Sequence, residues 1–395
     1  IILIMKKRGN GIRGRNILVK YTSTFLGGLL FFLPILALYY EKNLFSITNV
    51  ALIFSIEAIA LAIFEIPTGS IADIYGRKKT LIVGYFIQLV SIIFLYIGGS
   101  LSIFILYALI MSFGRALCSG SDSSLIYDSL KQEGKEKLFK KVNGNDSAIW
   151  PFAASIGSII GGYLASISLS LPILATFIPM SLLVITTFFY KEPNYTKPEH
   201  KSILKQSYNS LKSVIKSKQL TLIILTGIIL FGLGEAVHLL NPLFFKLKEM
   251  PISQFGYIFA ITFGFSSLGH YLSHSVSERI GNKKTIILSI IGSAIFLLLA
   301  LPTTKYISVL FFVIPSIFFG LRNPVMGYLV NKEVKDSERA TIASIFSFSS
   351  QMGIAVFTFL VGVFAEQQGL LFSYFICALA ILVVPIIYIW VKDNK

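Results

Sequence analysis

Charged residues are scarce in this 395-residue chain, and acidic ones are the scarcest. Asp and Glu number 19, Lys and Arg number 35, and charged residues make up 14% of the sequence. A soluble globular domain carries about 25%. Hydrophobic residues reach 54% and the mean hydropathy is +0.75. The shortage of charge excludes an ordinary soluble domain and indicates a protein that lies in the lipid bilayer.

Cysteine and histidine are also rare, with two and four residues. Cys118 and Cys377 both fall within long apolar stretches, so neither a disulfide framework nor a cysteine metal site is expected. His270, His274 and Glu278 have ligand-like spacing on one helix face. They are too few and too far from the other histidines for a metal centre. We expect them to pack or to sense protons instead.

The chain lacks a glycine-rich phosphate loop and any constellation typical of a catalytic nucleophile. We therefore expect neither ATP-driven pumping nor enzyme activity, and no cofactor beyond a proton gradient as energy source. The first residues, IILIMKKRGN, hold too short an apolar run for a secretory signal. Met5 is the expected natural start, which leaves the origin of residues 1–4 open.

Long apolar stretches dominate what is present. A membrane-spanning helix needs about 20 mostly apolar residues. Twelve stretches meet this requirement and predict an all-α membrane protein with twelve transmembrane helices. They lie near 17–39, 47–72, 80–99, 101–127, 142–167, 169–189, 219–245, 252–277, 284–302, 305–330, 340–364 and 368–391.

The basic residues are distributed unevenly between these stretches. Alternate connecting segments, starting with the N-terminus, hold 29 Lys and Arg, six of them before the first span, and the other segments hold four. Cytoplasmic segments carry such an excess, so both termini are expected in the cytoplasm of a cell (plasma or inner) membrane. The net charge of +16 is therefore a topology signal, and no nucleic-acid partner is expected.

The sequence repeats itself at half its length. When Gly76 is aligned with Gly281, at an offset of 205, the sequence Lys-Lys-Thr that begins at Lys78 matches the same three residues that begin at Lys283. Such a period predicts two related six-helix halves in pseudo-symmetric arrangement. The predicted domains are an N-terminal half, 1–190, a cytoplasmic linker, 191–218, and a C-terminal half, 219–395.

The linker has apolar residues at helical spacing. Leu204, Tyr208, Leu211 and Ile215 share one face, which predicts an amphipathic helix on the cytoplasmic membrane surface. A plain solvated linker is the alternative.

The loop after the second stretch carries the pattern Gly69-x3-Asp73-x2-Gly76-Arg77-Lys78. This pattern resembles the loop between spans two and three of the major facilitator superfamily, and the chain is similar to its twelve-span drug-efflux members, the drug:proton antiporters. The resemblance implies the major facilitator fold. It also implies a cytoplasmic latch between the two halves.

The implied latch consists of the loop residues and the start of span eleven. Asp128, at the cytoplasmic end of span four, is a plausible further member. The latch must break during alternating access. A loop that serves only as a topology anchor is the alternative. The expected latch residues are Gly69, Asp73, Gly76, Arg77, Lys78 and Asp128.

Charged residues inside spans are expensive and usually functional. Arg115, Ser119 and Asp122 share one face of span four. Glu65 and Asp146 lie nearer the cytoplasm, where a structural role is favoured. Each charge is also compatible with an ion pair between packed helices. The proton or substrate candidates are Glu57, Arg115, Asp122, Glu235, His238 and Arg322.

These features predict a monomeric secondary transporter that works by alternating access. The expected activity is proton-coupled efflux of a small, amphipathic molecule. Proton-coupled uptake of a nutrient is the alternative within transporters. A membrane-embedded enzyme or sensor is the alternative from another class. The sequence does not name the substrate.

Overall fold

The computed structural model describes residues 12–194, 217–333, 339–388 and 390, and every regular element among them is a helix. Seven α-helices precede the linker: α1 Ile12–Gly28, α2 Leu36–Leu44, α3 Ile47–Tyr75, α4 Arg77–Ile97, α5 Leu101–Lys131, α6 Phe139–Ile167 and α7 Leu171–Thr187. Eight follow it: α8 Lys218–Leu239, α9 Asn241–Leu247, α10 Ile252–Ile280, α11 Asn282–Ala300, α12 Lys305–Val313, α13 Pro315–Lys332, α14 Arg339–Gln368 and α15 Leu370–Tyr388. The linker residues 204–215, for which an amphipathic helix is predicted, lie outside the described ranges.

The lengths and apolar composition of the helices are those of a multi-pass membrane protein. Ten of the described helical segments are long and apolar enough to cross a bilayer. The segment α7 is apolar but has only 17 residues. The helix α10 is 29 residues long, and its glycines, serines and histidines leave it outside the ten. The count of twelve spans therefore stays a prediction that depends on these two helices.

Three apolar stretches are interrupted helices. The first divides into α1 and α2, with a 3-10 turn at Leu33–Ile35 between them. The seventh divides at Leu240, just before Pro242, as expected of a residue that cannot continue a helix. The tenth divides at Ile314, just before α13 begins with a proline.

Two tight turns repeat at the predicted offset. Gly76 connects α3 to α4 with φ of 96°, and Gly281 connects α10 to α11 with φ of 87°. A positive φ is costly for residues with a side chain and free for glycine. Glycine therefore suits the turn at position 76, and its counterpart 205 residues later has the same backbone form.

Glycine also allows one close helix contact in the N-terminal half. A Cβ atom on Gly161 of α6 would lie 1.8 Å from the carbonyl oxygen of Phe31, in the break between α1 and α2. Small residues permit such approaches where lipid provides no hydrophobic drive for association. Gly161 therefore serves the packing of α6 against this break.

The described chain forms two compact units. One contains residues 12–35 and 60–194, and the other contains residues 36–59 and those from 217 onward. The first unit has a core that includes Leu81, Leu125 and Leu130. The second has stacked rings, with Phe244 and Phe312 centroids 4.6 Å apart.

Candidate functional site

A lysine held between two carboxylates is the main polar feature of the first unit. The Nζ of Lys20 in α1 contacts Oδ2 of Asp122 in α5. The same Nζ lies 3.0 Å from Oδ2 of Asp146 in α6. All three side chains are 12–15% exposed. A single cation thus bridges three helices at a depth where ionised groups are costly unless they are paired.

The two carboxylates differ in how well they are satisfied. Asp146 Oδ1 accepts a 2.6 Å hydrogen bond from Thr24, one turn after Lys20 on α1. Asp122 Oδ1 is buried, and no donor in the described part of the chain meets hydrogen-bond geometry with it, although the Tyr190 hydroxyl lies near enough to this carboxylate to interact. A buried acceptor without a donor costs about 1–3 kcal/mol. The second oxygen of Asp122 is therefore less well satisfied than that of Asp146.

The ion pair borders a cavity of about 430 Å³ within the first unit. Ser119 donates a 3.1 Å hydrogen bond to Glu65 Oε1 at its wall. The predicted face of span four, with Arg115, Ser119 and Asp122, contributes to the lining. The lining residues are Lys20, Leu61, Glu65, Tyr85, Gln88, Arg115, Cys118, Ser119, Asp122, Ser123 and Trp150.

Sequence reasoning missed Lys20. The charge count assigns it to the cytoplasmic segment before the first span, whereas the structure places it inside α1, paired with Asp122 and Asp146. The sequence places Asp122 on one helix face with Arg115, and the structure pairs Asp122 with Lys20. The sequence did contain a signal for this position. Lys20 lies one helical turn after Asn16 and one before Thr24, and it already falls inside the first apolar stretch.

Other predicted site residues lie elsewhere. Glu57 is half-buried in α3, in the segment that belongs to the second unit, and does not line the cavity. Arg322 is buried in α13 over the ring of Phe319, at 5.6 Å, and near enough to Glu235 for their charges to interact. His238 lies beside Phe259, with ring centroids 5.7 Å apart. Glu235, His238 and Arg322 all lie in the second unit, and none of them lines the cavity.

Two of the expected latch residues, Arg77 and Asp128, meet within the first unit, so a latch between the two halves stays a prediction. The Arg77 guanidinium pairs with Asp128 of α5, both side chains being 13–14% exposed, and also donates to the Ser124 carbonyl. The backbone N–H groups of Arg77 and Lys78 each donate a 2.8 Å hydrogen bond to Glu192. Gly69 lies within α3, and the side chain of Asp73 lies outside what the structure describes. Its pairing stays a prediction.

Glu192 is the second functional residue that sequence reasoning missed. It lies just after α7, and its carboxylate occupies the N-terminus of α4, where helix dipole and free N–H groups favour an anion. Nearby, Asn16 exchanges hydrogen bonds of 2.8 Å with the backbone of Lys191. The start of the linker is therefore fastened to the loop between α3 and α4.

The Arg77 pair has a testable consequence. Replacing Arg77 with glutamine leaves the Asp128 carboxylate without its guanidinium, and loss of one partner of a buried pair costs about 3–5 kcal/mol. We expect slower transport and a shifted population in spin-label distances across the cytoplasmic face. Lys79→Gln, which changes an exposed neighbouring cation, is the matched control. Equal behaviour of the two variants would reduce the loop to a topology anchor.

Comparisons with known proteins decide the family. The family model for the Major Facilitator Superfamily matches residues 21–266 and 236–395. The chain belongs to the Major Facilitator Superfamily. It is 26% identical over 387 residues to the uncharacterized MFS-type transporter YxaM of Bacillus subtilis strain 168, covering 92% of this chain and 93% of that one. It is 23% identical to the MFS-type transporter MJ1560 of Methanocaldococcus jannaschii, covering 94% and 97%.

Solved structures share the fold of this superfamily member. The nucleoside transporter NupG superposes with a TM-score of 0.78 at 17% identity, covering 98% of this chain and 100% of that one. A D-xylose–proton symporter superposes with a TM-score of 0.75 at 14% identity, covering 96% and 98%. The protein is thus a multi-pass membrane transporter of the superfamily.

Proposed function

We propose that this superfamily transporter is a proton-coupled antiporter that exports a small, cationic, amphipathic compound. The observation that carries the proposal is the charge at the cavity. Two cations, Lys20 and Arg115, accompany three carboxylates, Asp122, Asp146 and Glu65. With all five ionised, the group has one excess negative charge. In low dielectric this excess is costly, and one proton or one monovalent cation removes it.

Competition for one charge supplies the coupling. A proton on Asp122 neutralises the carboxylate that has an unsatisfied oxygen and weakens its attraction to Lys20. A cationic substrate neutralises the same excess without the proton. Binding of both together would leave excess positive charge, so each ligand excludes the other. The rings of Tyr85 and Trp150 line the same cavity and offer faces that attract cations.

Alternating access turns this competition into exchange. A site that opens to one side at a time can take a proton outside and release it inside, while the substrate moves the other way. The orientation supported by the 29-to-4 charge count places both termini in the cytoplasm of the cell membrane. The energy source is then the proton gradient.

Proton-coupled uptake of a polar nutrient is the second candidate. Ser119, Ser123 and Gln88 provide hydroxyl and amide groups to the cavity. One structure with the same fold is a D-xylose–proton symporter. Symport requires proton and substrate to bind together, so its substrate would be neutral. A membrane-embedded enzyme or sensor would produce no flux of either kind.

Flux into liposomes distinguishes these possibilities. With an acidic lumen, an antiporter should accumulate fluorescent lipophilic cations inside as protons leave, and a protonophore should abolish the accumulation. A symporter should instead expel its substrate from the acidic lumen, and a panel of neutral sugars and nucleosides tests this. Expression in cells should lower the accumulation of an exported compound. If no cation of the panel shows gradient-dependent flux but a neutral compound does, the antiport proposal is wrong and the protein is a symporter.

The orientation and the monomeric state are tested separately. In intact cells, a cysteine introduced at Lys135 should be shielded from an impermeant thiol reagent, whereas one at Lys305 should react. Both positions are exposed in the structure. Labelling at position 135 but not at position 305 would show that the orientation is the opposite one. Light scattering of the detergent complex should give the mass of one chain.

A further inference from the structure

Arg322, in the middle of α13, is a buried cation without a close partner. It is only 6% exposed, yet its guanidinium makes no ion pair and donates no hydrogen bond within the described ranges. A guanidinium carries several N–H donors and stays charged at every ordinary pH. Buried charges in native proteins are normally paired, because burial of a lone charge is costly. An arginine in this setting indicates an anion that the chain itself does not supply.

Two groups of the same unit act on this guanidinium from a longer distance. Glu235 of α8 and Tyr388 of α15 are near enough to Arg322 for electrostatic interaction. Tyr388 is buried, and its hydroxyl meets no hydrogen-bond geometry, although the Thr226 hydroxyl lies near enough to interact. A phenol is neutral at physiological pH and supplies no counter-charge. Of the described residues, Glu235 therefore offers Arg322 the nearby negative charge, and the two form no ion pair.

Aromatic rings lie on one side of the guanidinium. Its central carbon is 5.6 Å from the ring centroid of Phe319, one turn earlier on α13. The Phe319 ring is 6.1 Å from that of Phe231 in α8, which is 5.9 Å from that of Phe346 in α14, both edge to face. All three rings are half-buried and keep part of their surface available. A ring face attracts a cation, but it does not accept paired N–H hydrogen bonds as a carboxylate does.

Gly234 leaves space beside the same guanidinium. A Cβ atom added to Gly234 of α8 would lie 3.7 Å from Nη2 of Arg322 and, the neighbouring residues of its own helix aside, would meet nothing else within 4 Å. The Arg322 nitrogen atoms are not among the fully buried polar atoms that lack a partner, so each keeps some accessible surface. A ligand can therefore approach the guanidinium beside Gly234.

We propose that Arg322 is the anion-binding group of a ligand site in the second unit, and that this site takes a monocarboxylate with an aromatic body. The carboxylate accepts paired hydrogen bonds from the fork-shaped guanidinium, and the body packs against the rings of Phe231 and Phe319. A small inorganic anion makes no such ring contact. Glu235 repels a second negative charge, which favours a monoanion over a dianion. None of these residues lines the cavity, so the site stands whether or not the antiport proposal holds.

Binding of aromatic carboxylates to the purified protein in detergent tests the site without a gradient. Radiolabelled benzoate is the probe, and its binding should be saturable. Unlabelled phenylacetate should displace it, whereas the neutral isostere benzamide and the dianion phthalate should displace it poorly. Arg322→Gln should weaken benzoate binding roughly tenfold or more, since it removes a charged hydrogen-bond partner. Arg322→Lys should retain part of the binding, because the charge remains without the fork.

Glu235→Gln distinguishes a ligand site from a structural charge balance. A bound carboxylate competes with Glu235 for the guanidinium, so this variant should raise the affinity for benzoate roughly threefold or more. If Arg322 serves only to balance Glu235 within the fold, the variant lowers the melting temperature and leaves benzoate binding unchanged. That result overturns the proposal.

Gly234→Leu tests the same place with both charges retained, and it decides the matter if Arg322→Gln fails to fold. The added side chain fills the space beside Nη2 and should abolish benzoate binding. Gly264→Leu is the matched control, because a Cβ on that glycine of α10 would meet nothing within 4 Å. Absence of saturable benzoate binding to the folded protein overturns the site. So does binding that survives Gly234→Leu, or an equal loss in both glycine variants.

Discussion

Replacing Asp122 with asparagine is expected to abolish accumulation driven by a pH gradient while downhill exchange of substrate survives. The asparagine side chain has nearly the same shape but carries no charge and does not take up or release a proton between acid and neutral pH. It removes the excess negative charge of the cavity permanently, so protons no longer compete with the substrate. Gradient-driven flux in liposomes should fall to the level of liposomes without protein.

Three variants serve as controls for the Asp122 result. Asp146→Asn removes a carboxylate whose second oxygen is already hydrogen-bonded to Thr24, so some coupling should remain. Glu57→Gln and Glu235→Gln alter acids that do not line the cavity. If the Asp122 variant retains full gradient-driven flux, Asp122 is a structural residue. The coupling role is then assigned to the residue whose variant loses gradient-driven flux.

Lys20→Gln is expected to cause the largest loss of stability. It leaves Asp122 and Asp146 as like charges without the cation that both contact. Removing one partner of a buried pair costs about 3–5 kcal/mol, a substantial part of the 5–15 kcal/mol that stabilises a typical protein. The melting temperature in detergent should fall, and it should fall less at low pH, where protonation relieves the repulsion.

The double variant Lys20→Gln with Asp146→Asn separates charge from packing. It removes one carboxylate for the one cation lost and so restores the original net charge, and most of the stability should return, although the coupling should stay impaired. If the double variant is as unstable as Lys20→Gln alone, the lysine stem rather than its charge supports the three helices. Lys20→Arg should retain stability because the charge remains.

Several features of the fold follow from local sequence. Gly76 and Pro242 determine a turn and a helix end through their own backbone restrictions, so both were predictable. Helical periodicity placed Arg115, Ser119 and Asp122 on one face without any knowledge of the neighbouring helices. The family resemblance in the loop after α3 was also sufficient to identify the superfamily.

The parts of the site and fold that the sequence did not predict depend on contacts between residues that are distant along the chain. Lys20 resembles other N-terminal cations until Asp122, 102 residues away, is placed beside it. Glu192 looks like part of a hydrophilic linker until the N-terminus of α4 meets it. No local pattern indicates that residues 36–59 join the C-terminal residues, because packing between helices in lipid depends on surface shape more than on composition.

The position of residues 36–59 has a consequence for biosynthesis. They leave the ribosome long before their partners, since Glu41 precedes its ion-pair partner Lys246 by 205 residues and Ile47 precedes its hydrogen-bond partner Glu366 by 319. Synthesis at about 5–20 residues per second leaves the segment without these contacts for at least ten seconds. The N-terminal half must therefore enter the membrane before residues 36–59 have their packing partners, a stage at which a chaperone or a quality-control protease can act.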